Sequence, residues 1–285
     1  MRKRLKMIIK CWGARGSIPV SGKEYLRYGG DTTCLEIRTG NDDIVIIDAG
    51  SGIRKLGNEL LNKNRYTYHI IFTHAHMDHL LGFPFFKPIY MKGTHIDIYG
   101  CPFAQKSIQK MFSSAIQPPY FPVDFKDIKS EMLYHGACEN RFSINSMEVT
   151  PILLSHPNQG IGYKFVEEKK CFVFLTDNEL TFKHPGGLDY QDYLSFSTNA
   201  DLLIHDAEFT EEEYKITKKW GHSVYKDALR LALDAKVKRF GLFHHNPERT
   251  DFALDKMVQE CNHIIKSQSS HLECFALYEG MEITL

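Results

Sequence analysis

Residues Thr73-His74-Ala75-His76-Met77-Asp78-His79 place three imidazoles and one carboxylate within six positions, directly behind the apolar run His69-Ile70-Ile71-Phe72. Packing alone gives no reason for such a cluster at a strand end. Neutral imidazole and carboxylate are donors that zinc, manganese and iron accept, and hydrolytic sites often hold two such ions about 3.5–4 Å apart. In extended chain, side chains two positions apart share a face. His74 and His76 therefore reach one ion, while Asp78 and His79, beyond the turn, face a second. Four ligands leave both ions short. The chain must fold so that further ligands arrive from elsewhere, each at a strand end.

Such residues are present. Ser155-His156-Pro157 follows the apolar run Val149–Leu154, Thr176-Asp177-Asn178 follows Cys171–Leu175, and His244-His245-Asn246-Pro247 follows Phe240–Phe243. Singly, each is an ordinary residue after a strand; jointly with the cluster they make a dinuclear metal site the expected reading. Asp48, after Ile44–Ile47, either opens the Asp48-Ala49-Gly50 turn or stands behind a ligating histidine and orients it.

The remaining pattern is strand-rich in both halves. Strands are expected at Met7–Trp12, Cys34–Thr39, Asp43–Ile47, Tyr68–Thr73 and Thr94–Tyr99, then at Met147–Leu154, Ile161–Val166, Cys171–Leu175, Leu202–Ile204, Arg239–Phe243 and Leu272–Leu277. Helical spacing appears at Ile53–Lys63, Ala104–Ala115, Glu211–Lys219, Ser223–Ala235 and Phe252–Ser267. Two strand-rich halves, each followed by helices, imply an α+β sandwich of two sheets with helices outside. No polar linker divides them, so a single domain over 1–285 is expected. Residues 84–127 are an aromatic excursion interrupted by prolines, either a lid or subunit contact or a cover over the core.

Composition narrows the function classes. The 285 residues carry 35 basic and 35 acidic side chains, so formal net charge is zero. That disfavours a protein whose main partner is nucleic acid, which clustered Lys and Arg would serve. The basic N-terminus is followed by too few apolar residues for a secretory segment, and no run approaches the roughly 20 needed to span a membrane. Seven scattered cysteines without a C-x-x-C pair read as reduced thiols of a cytoplasmic protein.

Thr73–His79 followed by Gly82, then His156, Asp177 and His244 in that order, resembles the metallo-β-lactamase fold superfamily over nearly the whole chain. The resemblance implies a four-layer αβ/βα sandwich of two mixed β-sheets with the site at one edge. It implies that His74, His76 and His156 hold one divalent transition-metal ion and that Asp78, His79 and His244 hold the other. Asp177 would bridge them, and Asp48 would orient a ligand. Zinc is the first expectation, with manganese and iron also compatible. Of the adjacent pair, His244 and not His245 matches the ligand position.

Within the superfamily, Leu203-Ile204-His205-Asp206-Ala207 and the late Gly221-His222-Ser223 are similar to ribonuclease Z and to bacterial cyclic-phosphate phosphodiesterases. This resemblance implies that Asp206 orients His222 and that His222 protonates the leaving oxygen or binds a phosphoryl oxygen. The metals would generate the attacking hydroxide at a bridging position, and Asp78 is a candidate acceptor for the water's proton. Ribonuclease Z usually has Glu where Asp206 stands, and no Gly/Pro-rich arm for tRNA lies between Asp177 and Asp206. Trp12–Pro19 and Arg27–Cys34 are similar to segments of small bacterial phosphodiesterases, including ones acting on cyclic nucleotides. Arg15 and Ser17 either line a phosphate pocket or belong to a turn with a surface Arg; Asp31, Thr33 and Ser223 are further substrate-binding candidates. The expected activity is hydrolysis of a small cyclic phosphodiester, first a 3',5'-cyclic nucleotide. The alternatives are a sugar cyclic-phosphate phosphodiesterase, a ribonuclease Z-like nuclease and, behind them, an ester or lactone hydrolase. The expected partner is a small molecule, with a homodimer compatible.

Overall fold

The computed structural model describes residues 6–100, 108–119, 121–136 and 141–285. Two seven-stranded sheets lie face to face. The first runs, in spatial order, β14 (Glu282–Thr284), β1 (Ile8–Gly13), β2 (Cys34–Arg38), β3 (Ile44–Ile47), β4 (Thr67–Ile71), β5 (His95–Gly100) and β6 (Glu131–Gly136). The second runs β13 (Glu273–Ala276), β12 (Arg239–Phe243), β11 (Leu202–Asp206), β10 (Lys170–Leu175), β9 (Gly160–Glu167), β8 (Met147–Leu154) and β7 (Phe142–Ile144). Both sheets are mixed. β3 to β6 pair in parallel in the first, and β10 to β13 pair in parallel in the second, while the remaining neighbours are antiparallel.

The two-residue period of the strands sorts side chains into three cores. Val45, Ile47 and Ile71 of the first sheet meet Phe165, Phe172, Phe174, Ile204 and Phe243 of the second between the layers. Alternate residues Ile44, Ile46, Ile70 and Ile98 point outward, under Leu56 and Leu60 of α1 (Ile53–Asn62). Val173, Leu175, Leu203 and Leu242 face the other way, under helices α4 (Tyr190–Ser197), α6 (Tyr225–Asp234) and α7 (Asp251–Ser267). The expected helix–sheet–sheet–helix layering is therefore the observed one. Such strands, buried on both faces, carry unbroken apolar runs, which is why they were legible.

Among the described strands and α-helices, five short elements escaped the pattern: β6, β7, β14, α2 (Met77–Leu80) and α4. β7 and β14 have three residues each, too few for periodicity. β6 is a half-exposed edge strand with the mixed sequence EMLYHG. The aromatic excursion covers the outer face of the first sheet, with Phe83, Phe86, Phe112 and Ile116 buried there. Within it, α3 spans Ile108–Ala115; residues 104–107 of the expected helix, with Phe103 and Tyr120, lie outside the described residues. The described cysteines, Cys11, Cys34, Cys171, Cys261 and Cys274, are free; Cys101 and Cys138 lie outside the described residues. No described helix is long and apolar enough to cross a membrane.

Candidate metal centre

The parallel strands of both sheets end on the same side of the sandwich, as open α/β sheets deliver ligands at strand C-termini. Asp48 follows β3, His74–His79 come shortly after β4, Asp177 lies two residues beyond β10, Asp206 ends β11 and His244 follows β12. His156 arrives from the end of β8. Two hydrogen bonds tie the layers together here: Ile161 N donates to Thr73 O (2.9 Å), and the Tyr163 hydroxyl to Phe72 O (2.9 Å). Asp48, Asp177 and His244 each adopt left-handed backbone, with φ of 60°, 59° and 56°. Such backbone is unfavourable outside glycine, and it concentrates where a side chain must be aimed.

Besides Asp206, His222 and His244, two groups of donor atoms result, each within 4.8 Å of one another: His74, His76, His156 and Asp177, then Asp78, His79, Asp177 and His244. Asp177 belongs to both. Its Oδ2 lies 3.4 Å from His74 Nε2 and 3.4 Å from His79 Nε2, and its Oδ1 lies 3.3 Å from His244 Nε2. Asp78 Oδ2 lies 3.1 Å from His244 Nε2 and accepts a bond from Ser17 N (2.8 Å). His76 Nδ1 and His156 Nε2 approach to 3.0 Å.

The partners behind the rings decide which nitrogen faces inward. The Gly221 carbonyl, which can only accept, lies 2.9 Å from His156 Nδ1, so that nitrogen carries the proton and Nε2 presents its lone pair. The Thr73 hydroxyl donates to Asp48 Oδ2 (2.8 Å) and lies 3.1 Å from His74 Nδ1, where it serves as acceptor. Asp48 Oδ2 lies 2.7 Å from His79 Nδ1, and Glu208 Oε2 lies 3.0 Å from His244 Nδ1. Four rings thus turn Nε2 into one space, joined by His76 Nδ1.

The donor set fits divalent cations. His74 Nε2 and His79 Nε2 are buried without a hydrogen-bond partner, a vacancy that proteins rarely leave. Asp48, Asp78, Asp177, Asp206 and Glu208 are all buried. Among the described residues, no Lys or Arg side chain is paired with any of the five. Such a density of buried carboxylate requires compensating charge. The imidazoles register it. Burial pulls His79 and His244 down, but the carboxylates, Asp78 and Asp177 at His79 and Asp177 with Asp78 and Glu208 at His244, push both well above the ordinary value. Burial lowers His76 to about 4 and sends His156 well below its usual value.

Beside this cluster stands His222. Its Nδ1 lies 2.8 Å from Asp206 Oδ2 and 3.4 Å from Glu208 Oε2. Its ring stacks on His244 at 4.6 Å and lies 5.2 Å from His156. Burial opposes its charge, but Glu208 and Asp206 outweigh it and raise His222 to about 9.

The substrate-binding candidates are placed differently. The Arg15 guanidinium is buried and donates to the carbonyls of Gly29 (2.9 Å), Asn246 (3.2 Å) and Arg249 (2.7 Å), clamping backbone. Ser17 meets the cluster through its N–H, with its side chain exposed. Asp31 accepts from the Ser51 hydroxyl (2.7 Å) and pairs with Lys55 (2.8 Å). The Thr33 hydroxyl is buried and unpartnered, and Ser223 bonds the Asn178 carbonyl and Leu180 N. His245 turns away from the cluster to the Leu277 carbonyl (2.8 Å).

Two carboxylates went unnoticed in the sequence. Glu208 lies two residues beyond Asp206, the same face-sharing spacing that marks His74 and His76, and that signal was available. Glu179 had none. Buried and held by His184 (2.7 Å), it accepts from Lys219 N (2.8 Å) and Gly221 N (2.9 Å). It thereby fixes the turn that presents the Gly221 carbonyl to His156.

Residues 44–245 match the family model described as Beta-lactamase superfamily domain. The chain belongs to the metallo-β-lactamase superfamily. Its two-sheet sandwich, edge cluster and ordered ligands are those of a metal-dependent hydrolase of that superfamily. Ribonuclease Z of Picrophilus torridus is 24% identical over 288 positions, covering 85% of this chain and 86% of the relative. The metallo-β-lactamase fold protein YhfI of Bacillus subtilis superposes with a TM-score of 0.72 at 16% identity, covering 97% of this chain and 98% of that one. Unliganded yeast PDE1 gives 0.68 at 14% identity, covering 99% and 100%.

Proposed function

We propose that this protein is a dinuclear phosphodiesterase acting on a small cyclic phosphodiester, first of all a 3',5'-cyclic nucleotide. The observation that carries the reading is His222: an imidazole held beside two carboxylates and stacked on His244 of the candidate metal cluster. His74, His76 and His156 would hold one cation and Asp78, His79 and His244 the other, with Asp177 between; such a pair supplies Lewis acidity and lowers the pKa of a water. Ester and lactone chemistry has less use for a separate proton donor. A sugar alkoxide leaving from phosphorus needs a proton, and a positioned general acid contributes roughly 10²–10⁴-fold to rate. Asp206 fixes His222 through Nδ1, leaving the opposite nitrogen to make that transfer. Asp78, bonded by Ser17 N, is the carboxylate placed to take the water's proton.

Size selection rests on the segment between β10 and β11. It packs as α4 against the second sheet, with Tyr193 buried and its hydroxyl bonded to the Leu153 carbonyl (3.1 Å). This compact stretch and the zero net charge favour a small substrate over RNA. The ribonuclease Z relatives support the second reading, an RNA-processing nuclease. Free thiols fit a cytoplasmic setting.

The test is a substrate panel with the metal-loaded protein: cyclic nucleotides, a sugar cyclic phosphate, precursor tRNA, a lactone and nitrocefin. Cyclic nucleotides should give the highest kcat/KM, and chelation should abolish turnover until zinc or manganese is restored. Preference for precursor tRNA selects the nuclease reading; preference for the lactone overturns phosphodiester chemistry.

A further inference from the structure

Three exposed apolar residues adjoin, in sequence, residues of the cluster or of its support. Ile18, Met77 and Trp220 are 59%, 63% and 62% exposed. Ile18 follows Ser17, whose N–H holds Asp78. Met77 lies between His76 and Asp78, and Trp220 immediately precedes Gly221 and His222.

Trp220 stands out by its mounting. Lys219 and Gly221 on either side have φ of 77° and 98°. Both their N–H groups donate to the buried Glu179 carboxylate, and Trp220 N donates to the Thr217 carbonyl (3.0 Å). Glu179 is itself held by His184 and the Tyr214 hydroxyl. The turn is therefore fixed by Glu179 with His184 on one side and by Tyr214 and Thr217 of the preceding helix on the other, while the largest side chain in it is left in water. A flat aromatic on a stiff support loses little conformational freedom on stacking, and its neighbour in sequence is the backbone that aims His156.

We propose that Trp220 is a specificity-determining residue that stacks the nucleobase of the substrate. The inference rests on the reading that a nucleoside phosphodiester is hydrolysed at the adjoining cluster, and it adds what that reading lacks, a contact for the base. Every base offers a π face, so a stacking contact accepts adenine and guanine alike. It gives a nucleotide affinity that a bare sugar phosphate does not have, because cations and imidazoles recognise only the phosphate that both share.

The experiment compares metal-loaded wild type, Trp220→Phe and Trp220→Ala, each first shown to hold two metal equivalents. Calorimetry measures Kd for adenosine 5'-monophosphate and for ribose 5-phosphate, neither of which is a diester. The preference for the nucleotide should fall about tenfold in Trp220→Ala and persist within about threefold in Trp220→Phe. In wild type the nucleotide, and not ribose 5-phosphate, should quench tryptophan emission. The other tryptophan, Trp12, is 8% exposed and bonded to Glu36, so the signal reports Trp220. An unchanged preference in Trp220→Ala overturns the inference, as does equal weakening of both ligands. A dimer that becomes monomeric in Trp220→Ala with preference intact would assign the residue to a subunit contact instead. The parent reading fails separately, on absent turnover of cyclic nucleotides by wild type, since the preference is read from binding alone.

Discussion

The two groups of candidate metal ligands, two pockets by the proposed assignment, share Asp177 and differ in what stands behind their side chains. In the first, uncharged oxygens back the rings: the Thr73 hydroxyl behind His74 and the Gly221 carbonyl behind His156. In the second, carboxylates do so: Asp48 behind His79 and Glu208 behind His244. Burial acts on both pockets, yet it wins only in the first, where His76 and His156 are lowered. In the second the carboxylates overcome it and His79 and His244 are raised. The first pocket adds three imidazoles to the shared Asp177 and is partly open at His76; the second adds Asp78, has carboxylates behind its rings and is closed. The more anionic pocket gains more from a divalent cation, because buried carboxylate is the group most in need of one. The two ions should therefore bind in separable steps, the second pocket tighter.

The largest effect should come from the residue that denies the difference. Asp177→Ala removes a ligand from both pockets at once, and metal content should fall from near two equivalents toward none. Turnover should drop by well beyond the roughly 100-fold that loss of an outer partner costs. Retention of one full equivalent would show that Asp177 serves one pocket only. Next is His222→Ala, at a ring that packs on His244 but belongs to neither proposed ligand set. Turnover of the phosphodiester should fall roughly 10²–10⁴-fold with both equivalents kept. Loss of metal would make His222 a ligand and overturn its assignment as the acid.

Two glycines then separate the pockets from behind. A Cβ on Gly221 would stand 2.1 Å from His156 Nδ1, in a residue whose φ is already 98°. A Cβ on Gly16 would stand 2.2 Å from His244 Cε1. Gly221→Ala should weaken the looser binding step and Gly16→Ala the tighter one, each by about 100-fold. Overpacking should also cost typically 1–3 kcal/mol of stability, read by denaturant titration. If both substitutions weaken the same step, the pockets are one cooperative unit and the contrast between them fails.

How much of this was legible in the sequence follows the same division. His74–His79 is a local cluster, visible because one strand and one turn hold four ligands. His156, Asp177 and His244 were legible because each ends a buried strand, and such strands write continuous apolar runs. The supports were less visible. Asp48 could be found at a strand end, and Glu208 by its spacing from Asp206. Glu179 and Gly221 act through a backbone turn whose shape depends on packing against α5 (Glu211–Thr217), and no periodicity announces that. Arg15 shows the same limit: its sequence context left a phosphate pocket and a turn with a surface Arg both open, and in the fold its buried guanidinium donates to three carbonyls 14 to 234 positions away. Residue type suggests chemistry, whereas long-range backbone contacts decide whether a side chain is free to perform it.

The smallest effects test the carboxylates themselves. Asp48 accepts three bonds, from Thr73 N, the Thr73 hydroxyl and His79. Asn offers one acceptor oxygen, so Asp48→Asn strands at least one buried donor besides removing charge. Glu208 accepts from His244 on one oxygen and from Asn246 on the other (3.1 Å). Asn246 can reverse its amide to meet Gln, losing only the exposed bond its Oδ1 accepts from Glu248 N (2.9 Å), so Glu208→Gln removes charge and strands no buried donor. Affinity of the tighter step should therefore fall more for Asp48→Asn than for Glu208→Gln, the latter by about tenfold, the lower end for an outer partner. The looser step should change by less than about threefold in both, because screening by the intervening cation and ligands shortens the reach of each charge. Calorimetric titration of zinc into the metal-free variants resolves the two steps. Equal weakening of both would mean that these carboxylates set the charge of the whole site, and that the first pocket is less anionic only by the identity of its immediate neighbours.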